Sequence, residues 1–149
     1  MKNYNKTLST LLTLVLIFSV SSCQQSTKKT TSLYQQLGGK AVINALTEKL
    51  VDRLFNNVEI GFLFNDSDSD REDLIKHISA QICLETGGGC LYEGRDMQET
   101  HSGLDIRMSE FDIFVQEFIA AMEDVNIPFR HQNQVLTLFA VMRNEVTHQ

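Results

Sequence analysis

His101 is the residue whose placement asks for a chemical reason. It is one of four histidines and sits in "YEGRDMQETHSGL", residues 92 to 104, among small, polar and acidic neighbours. Met97 precedes it by four places, so on a helix the two share a face. Gly103 follows closely enough to end such a helix. An imidazole in this setting is either a polar residue on a helix surface or a base that holds a metal. A second histidine, His77, stands beside the apolar positions Leu74, Ile78 and Ile82, at the edge of their stripe. His131 and His148 read as surface residues.

Other groups with chemical potential are fewer. Cys83 and Cys90 flank "LETGGG". Their three intervening glycines allow the tight turn a disulfide would need, and two free thiols are the other reading. The spacing does not fit a zinc knuckle, and no second pair exists. In "DSDSDREDLIKH", residues 66 to 77, Asp66, Asp68 and Asp70 alternate as in a calcium loop. Arg71 occupies the sharp-turn glycine position and His77 the closing glutamate position, so that reading is rejected. The acids suit a helix N-terminus instead. There is no G-x-S-x-G, no phosphate-cradling glycine loop and no H-E-x-x-H, which leaves a hydrolase reading without support.

The elements that must position these groups are helical. Val42, Ile43, Leu46, Leu50 and Leu54 recur every three or four residues. Leu74, Ile75, Ile78 and Ile82 form a second stripe, and Phe111, Phe114, Val115, Phe118, Ile119 and Met122 a third. Val135, Leu138, Phe139 and Met142 form a fourth. Gly38 and Gly39 break the chain before the first long helix, and Gly87 to Gly89 end the second. Ser109 and Asp112 have capping-box-like spacing before the third, and Pro128 suits a helix start. A short helix near Leu33 to Gln36 and another from about Asp96 to His101 complete an all-α reading.

The first two dozen residues read as a targeting segment. Lys2 and Lys6 precede the apolar run Leu11 to Val20, which has the length of a signal-peptide core and is too short to span a membrane. "VSSC", Val20 to Cys23, resembles the bacterial lipoprotein box, which implies lipidation of Cys23. A plain secreted protein is the other reading. The polar stretch Gln24 to Ser32 reads as a tether, and Gln24 after the cysteine favours an outer-membrane anchor. The expected division is residues 1–22 signal peptide, 23–31 lipidated tether and 32–149 one domain. The location is then the cell envelope, facing the periplasm, with the lipid on Cys23 as membrane partner. The formal net charge is −6, and loss of Lys2 and Lys6 leaves −8. Without a basic patch, nucleic acid is excluded as a partner.

A histidine near a helix end, one turn after a soft apolar residue, suits a flat apolar ligand such as haem. On four segments the chain resembles the first group of truncated haemoglobins, the two-over-two globins. They are "SLYQQLGGKAVINAL" (32–46), "VDRLF" (51–55), "ETGGGCLYEGRDMQETHSGLDI" (85–106) and "FDIFVQEFIAAMEDVNIP" (111–128). The resemblance implies a two-over-two helical sandwich around haem b, with His101 as proximal iron ligand and Met97 against the proximal face. It implies dioxygen or another diatomic gas as ligand, a reductase that the sequence does not name, and an oxygen-binding protein more than an enzyme.

The distal side departs from the family pattern. Where many relatives have Phe-Tyr, this chain has Leu50 and Val51, and where many have a distal glutamine it has Ile78. Leu74 is apolar too, so the usual hydrogen-bond donors are absent. This argues against a tight oxygen store and against efficient oxygen-dependent nitric oxide removal. In some family members a histidine matching His77 binds the iron as a sixth ligand, which would make a bis-histidine protein for electron transfer or redox chemistry. Alternatively His77 reaches the haem rim and pairs with a propionate, as Lys76 also could. Phe55, Phe62 and Phe64 either wall the pocket or pack the core. A third reading is an envelope interaction module that keeps only the fold.

Overall fold

The computed structural model describes residues 31–65 and 70–149. The apolar run Leu11 to Val20, Cys23, the tether up to residue 30, and Asp66 and Asp68 lie outside the described residues.

Order begins at a polar cap. The Ser32 hydroxyl accepts a hydrogen bond from the Gln35 N–H at 3.3 Å and opens α1, Leu33–Leu37. Gly38 then turns left-handed, with φ 109°, closing α1 and starting α2, Gly39–Asn56. A Cβ at Gly38 would meet Val42 Cγ2 at 2.5 Å, so both the backbone angle and the space require glycine. Ile43, Leu46, Leu50 and Leu54 point inward along α2 at helical spacing. A single-turn α3, Phe62–Asn65, follows.

Asp70 caps α4, Arg71–Glu85, by accepting from the Asp73 N–H at 2.8 Å. Glu72 and Asp73 occupy its first turn, as the helix-dipole argument for these acids expects. The end of α4 is a Schellman arrangement: Gly87 has φ 77°, and the Gly88 N–H donates to the Cys83 carbonyl at 2.8 Å. After a connector, α5 runs over Met97–His101, capped by Asp96, which accepts from the Glu99 N–H at 2.7 Å. The remaining helices are α6 (Met108–Asp124), α7 (Phe129–Ala140, with Pro128 at its N-cap) and α8 (Arg143–Val146).

α2 packs across both α4 and α6, α7 lies against α6 and α1, and α5 rests on α8. The result is a two-over-two helical sandwich, all-α among the described residues. Its main core holds Leu46, Leu50, Leu54, Ile82, Phe118 and Met122, all essentially buried. A smaller cluster of Ile106, Phe111 and Val146 lies under α5, and Leu63 packs against both clusters.

Three local expectations are corrected. The capping box of α6 is not formed by Ser109 and Asp112: the helix starts at Met108, and Glu110 accepts from the Arg107 N–H at 2.8 Å. The fourth stripe is not one helix through Met142, because the chain turns at Val141 and Met142 before α8. His131 is not a surface residue: it is 4% exposed, with Nε2 accepting from Arg130 Nε at 3.0 Å.

Candidate functional site

The geometry around His101 decides what its ring can do. Nδ1 lies 2.7 Å from the Met97 carbonyl oxygen. A carbonyl only accepts, so Nδ1 carries the proton and donates. Nε2 is therefore the nitrogen with the free lone pair. This i−4 bond to its own helix fixes the ring plane and the tautomer together, as a partner does for a metal-bound imidazole. Burial pushes the His101 pKa below its ordinary value, against an opposing effect of the Met97 carbonyl bond. The ring is thus held neutral, the form that binds iron.

The short helix bearing His101 is held at its C-terminal side by the chain end. The Gly103 N–H donates to the Gln149 carbonyl and the His148 N–H to the Ile106 carbonyl, each at 3.0 Å. Arg143 on α8 pairs with Asp112 at 2.8 Å and stacks over the Phe111 ring, fastening α8 to α6. Met97 is half-buried and packs against the smaller cluster together with Leu63 and Val115.

The residues expected on the distal side from the family resemblance fall into three groups. Leu50, Val51 and Ile82 are fully buried. Leu74 and Ile78 are half-buried on α4, with Ile78 at the edge of the main core. Lys76 and His77 are exposed. The His77 ring stands edge-on to Tyr92, centroids 6.4 Å apart, and Tyr92 in turn crowds Gly94. Lys76 lines a groove of about 630 Å³ between α2 and α4, bounded also by Lys40, Glu48, Ser79, Cys83 and Cys90. Neither His101 nor Met97 borders that groove.

The fit to a haem can be tested on these residues. Among the described residues no cluster of three or more His, Cys, Asp or Glu side chains could hold a bare ion. Iron already held by a porphyrin needs only one strong protein base, and His101 Nε2 is one. The half-buried apolar side chains Phe64, Ile78, Phe114, Met97 and Val115, on the margins of two clusters bridged by Leu63, supply surface for a flat apolar ring. The residues fit.

Leu63, Phe114 and Val115 join this candidate surface without a sequence signal that marks them. Phe114 and Val115 belong to the α6 stripe, and helical spacing does not separate its core members from those at a cluster margin. Phe55 and Phe64 are half-buried with ring centroids 6.2 Å apart, whereas Phe62 is 51% exposed. His148 is exposed, 3.6 Å from Asp105. Cys83 and Cys90 are joined as a disulfide, their Cα atoms 5.8 Å apart.

Residues 32–148 match the family model described as bacterial-like globin. The group 1 truncated haemoglobin of Synechocystis sp. is 26% identical over 101 residues, covering 65% of this chain and 80% of that protein. The group 1 truncated haemoglobin of Tetrahymena pyriformis is 21% identical, covering 66% and 80%. The crystal structure of the Tetrahymena pyriformis protein in its Fe(III) form superimposes with a TM-score of 0.75 at 18% identity, covering 80% of this chain and all of that one. The two-over-two haemoglobin of Synechococcus sp., in its cyanomet state with covalently attached haem, gives 0.72 at 21% identity, covering 78% and 98%.

Proposed function

Because the chain belongs to the bacterial-like globin family, whose members bind haem, we propose that it holds haem b through His101 and reversibly binds dioxygen or another diatomic gas. The observation that carries this reading is the 2.7 Å bond from His101 Nδ1 to the Met97 carbonyl, which leaves Nε2 free for iron. The haem supplies an iron atom to which a diatomic gas can coordinate. The chain's own residues do the rest. His101 would hold the iron, and Met97, one turn earlier on the same helix, would pack against the ring. Leu74 and Ile78, half-buried on α4 and backed by the buried Leu50, Val51 and Ile82, would exclude water on the other side and offer the gas no hydrogen bond. That distal apolarity favours a fast-releasing gas binder over a tight oxygen store.

The exposure of His77 and its contact with Tyr92 support a place at the haem rim, beside a propionate, rather than on the iron. Lys76 borders a different groove, which leaves His77 the better partner for a propionate. A bis-histidine electron-transfer protein is the competing reading and needs His77 turned inward. The absorption spectrum of the purified, reduced protein separates them. A five-coordinate ferrous spectrum that shifts on adding carbon monoxide supports the gas-binding reading. A six-coordinate low-spin spectrum without added ligand supports the other.

We further propose that Cys23 carries lipid and anchors the domain to the bacterial envelope, facing the periplasm. Support comes from the basic start, the apolar run and "VSSC" in the sequence. Labelled palmitate should enter the full-length chain and fail to enter a Cys23→Ser variant.

A further inference from the structure

The haem-binding reading puts α4 on one side of the ligand and α5 on the other, so the connector between them is the hinge of the grip. It spans residues 86–96. Its first part is well fastened: the Tyr34 N–H donates to the Thr86 carbonyl at 2.8 Å, and Gly87 and Gly88 close the end of α4. A Cβ on Gly88 would lie 2.4 Å from Cys83 Sγ and 2.8 Å from the Tyr34 ring, so glycine lets the connector lie flat on the sulfur. Beyond it, among the described residues, no backbone–backbone hydrogen bond involves residues 89 to 95. What ties this stretch to α4 is the covalent bond from Cys90 to Cys83. Cys83 is 3% exposed, but Cys90 is only half-buried, and both border the solvent-open groove between α2 and α4. The neighbouring Leu91 is 84% exposed.

We propose that Cys83–Cys90 is a thiol–disulfide exchange site, opened by a dithiol reductant entering from the α2/α4 groove, and that its opening loosens the hold of α5 on haem. The thiolate of the reductant attacks Cys90 Sγ, the more accessible sulfur. A mixed disulfide forms, the bond to Cys83 breaks, and Cys83 leaves as a thiolate that takes a proton. The second thiol of the reductant then attacks the mixed disulfide, releasing Cys90, which is protonated in turn. Two electrons and two protons pass from the dithiol to the pair, the reductant becomes a disulfide, and the iron takes no part. With the bond open, residues 89–94 keep side-chain packing, such as Tyr92 against Gly94 and His77, while Arg95 and Asp96 stay hydrogen-bonded to α5 itself. The N-terminal side of α5 is then held by packing, with Met97 on the smaller cluster, while its C-terminal side stays tied to Gln149.

The consequence for haem rests on the reading of His101 as its ligand; the exchange itself does not. The test uses the full chain with Cys23→Ser, so that two cysteines remain. Folded protein is treated with dithiothreitol, or with a protein dithiol kept reduced by its own reductase, and thiols are counted by mass after alkylation. The faster of the two identifies the source. Two readouts follow: cleavage by a protease within residues 86–96 of the haem-free protein, and transfer of haem to an excess of apomyoglobin. The inference expects both cysteines to be alkylated without denaturation, the connector to become cleavable, and haem transfer to speed up about ten- to a hundredfold, given what closing a short loop contributes. A Cys83→Ser, Cys90→Ser variant should behave as the reduced protein and ignore the reductant. Failure to take up haem before any reductant is added would refute the haem reading alone, and connector cleavage would then decide the exchange. Thiols that appear only on denaturation, or reduced protein with unchanged cleavage and haem transfer, would overturn the inference.

Discussion

Replacing Ile78 by glutamine would add a hydrogen-bond donor on the proposed distal side, where Leu50, Val51, Leu74, Ile78 and Ile82 offer none. Ile78 lies on α4, one turn after Leu74 and one before Ile82, half-buried at the margin of the main core. A glutamine of similar volume fits there without the overpacking that a tyrosine at Val51 would cause, since Val51 is fully buried. A hydrogen bond from the new amide to polarised dioxygen is worth about 1.5–3 kcal/mol. That energy slows dioxygen release by about ten- to a hundredfold. Carbon monoxide carries little charge, so its release should change little. Desolvating the amide costs about 1–3 kcal/mol, which appears in thermal stability and not in the release rate. Stopped-flow release of each gas from the wild type and the variant is the assay. Equal slowing of both gases would mean a steric effect. No slowing of either would mean that Ile78 does not face the gas, and the distal assignment would be wrong.

Other expectations are simpler to check. His77→Ala should leave the ferrous spectrum five-coordinate and speed haem loss only modestly, whereas loss of a six-coordinate low-spin spectrum would put His77 on the iron. The haem-free protein should lose stability on acidification through pH 6.5, the ordinary histidine value. His101 has a lowered pKa when folded, so between that value and 6.5 the unfolded chain binds more protons and gains on the folded one. The loss should stop once pH falls below the folded value. Urea melts across pH should show it in the wild type and not in a His101→Gln variant.

Much of the fold was legible because its stripes follow the helical period. The stripes beginning at Val42, Leu74 and Phe111 became α2, α4 and α6, and capping residues such as Asp70 and Asp96 mark the starts of α4 and α5. Periodicity failed at Val141 and Met142, where a turn without glycine or proline leaves the apolar spacing intact. It failed at His131 because "FRHQNQ" reads as solvated. In the fold, Gln132 beside it reaches back to the Ile127 carbonyl at 2.8 Å, and the first turn of α7 tucks in. The box expected at Ser109 was displaced because Glu110 reaches back to the Arg107 N–H, a choice spacing alone does not make. His101 itself was legible only through the family resemblance. A lone imidazole has no period, and the Met97 carbonyl bond that prepares it exists only once α5 has formed.

Haemin titration of the wild type beside His101→Gly, with and without free imidazole, bears most directly on the proposed iron ligand. Stoichiometric uptake by the wild type, weak and spectrally altered uptake by the variant, and recovery with imidazole are the outcomes expected if Nε2 of His101 holds the iron. Uptake by the variant that matches the wild type in affinity and spectrum would contradict it.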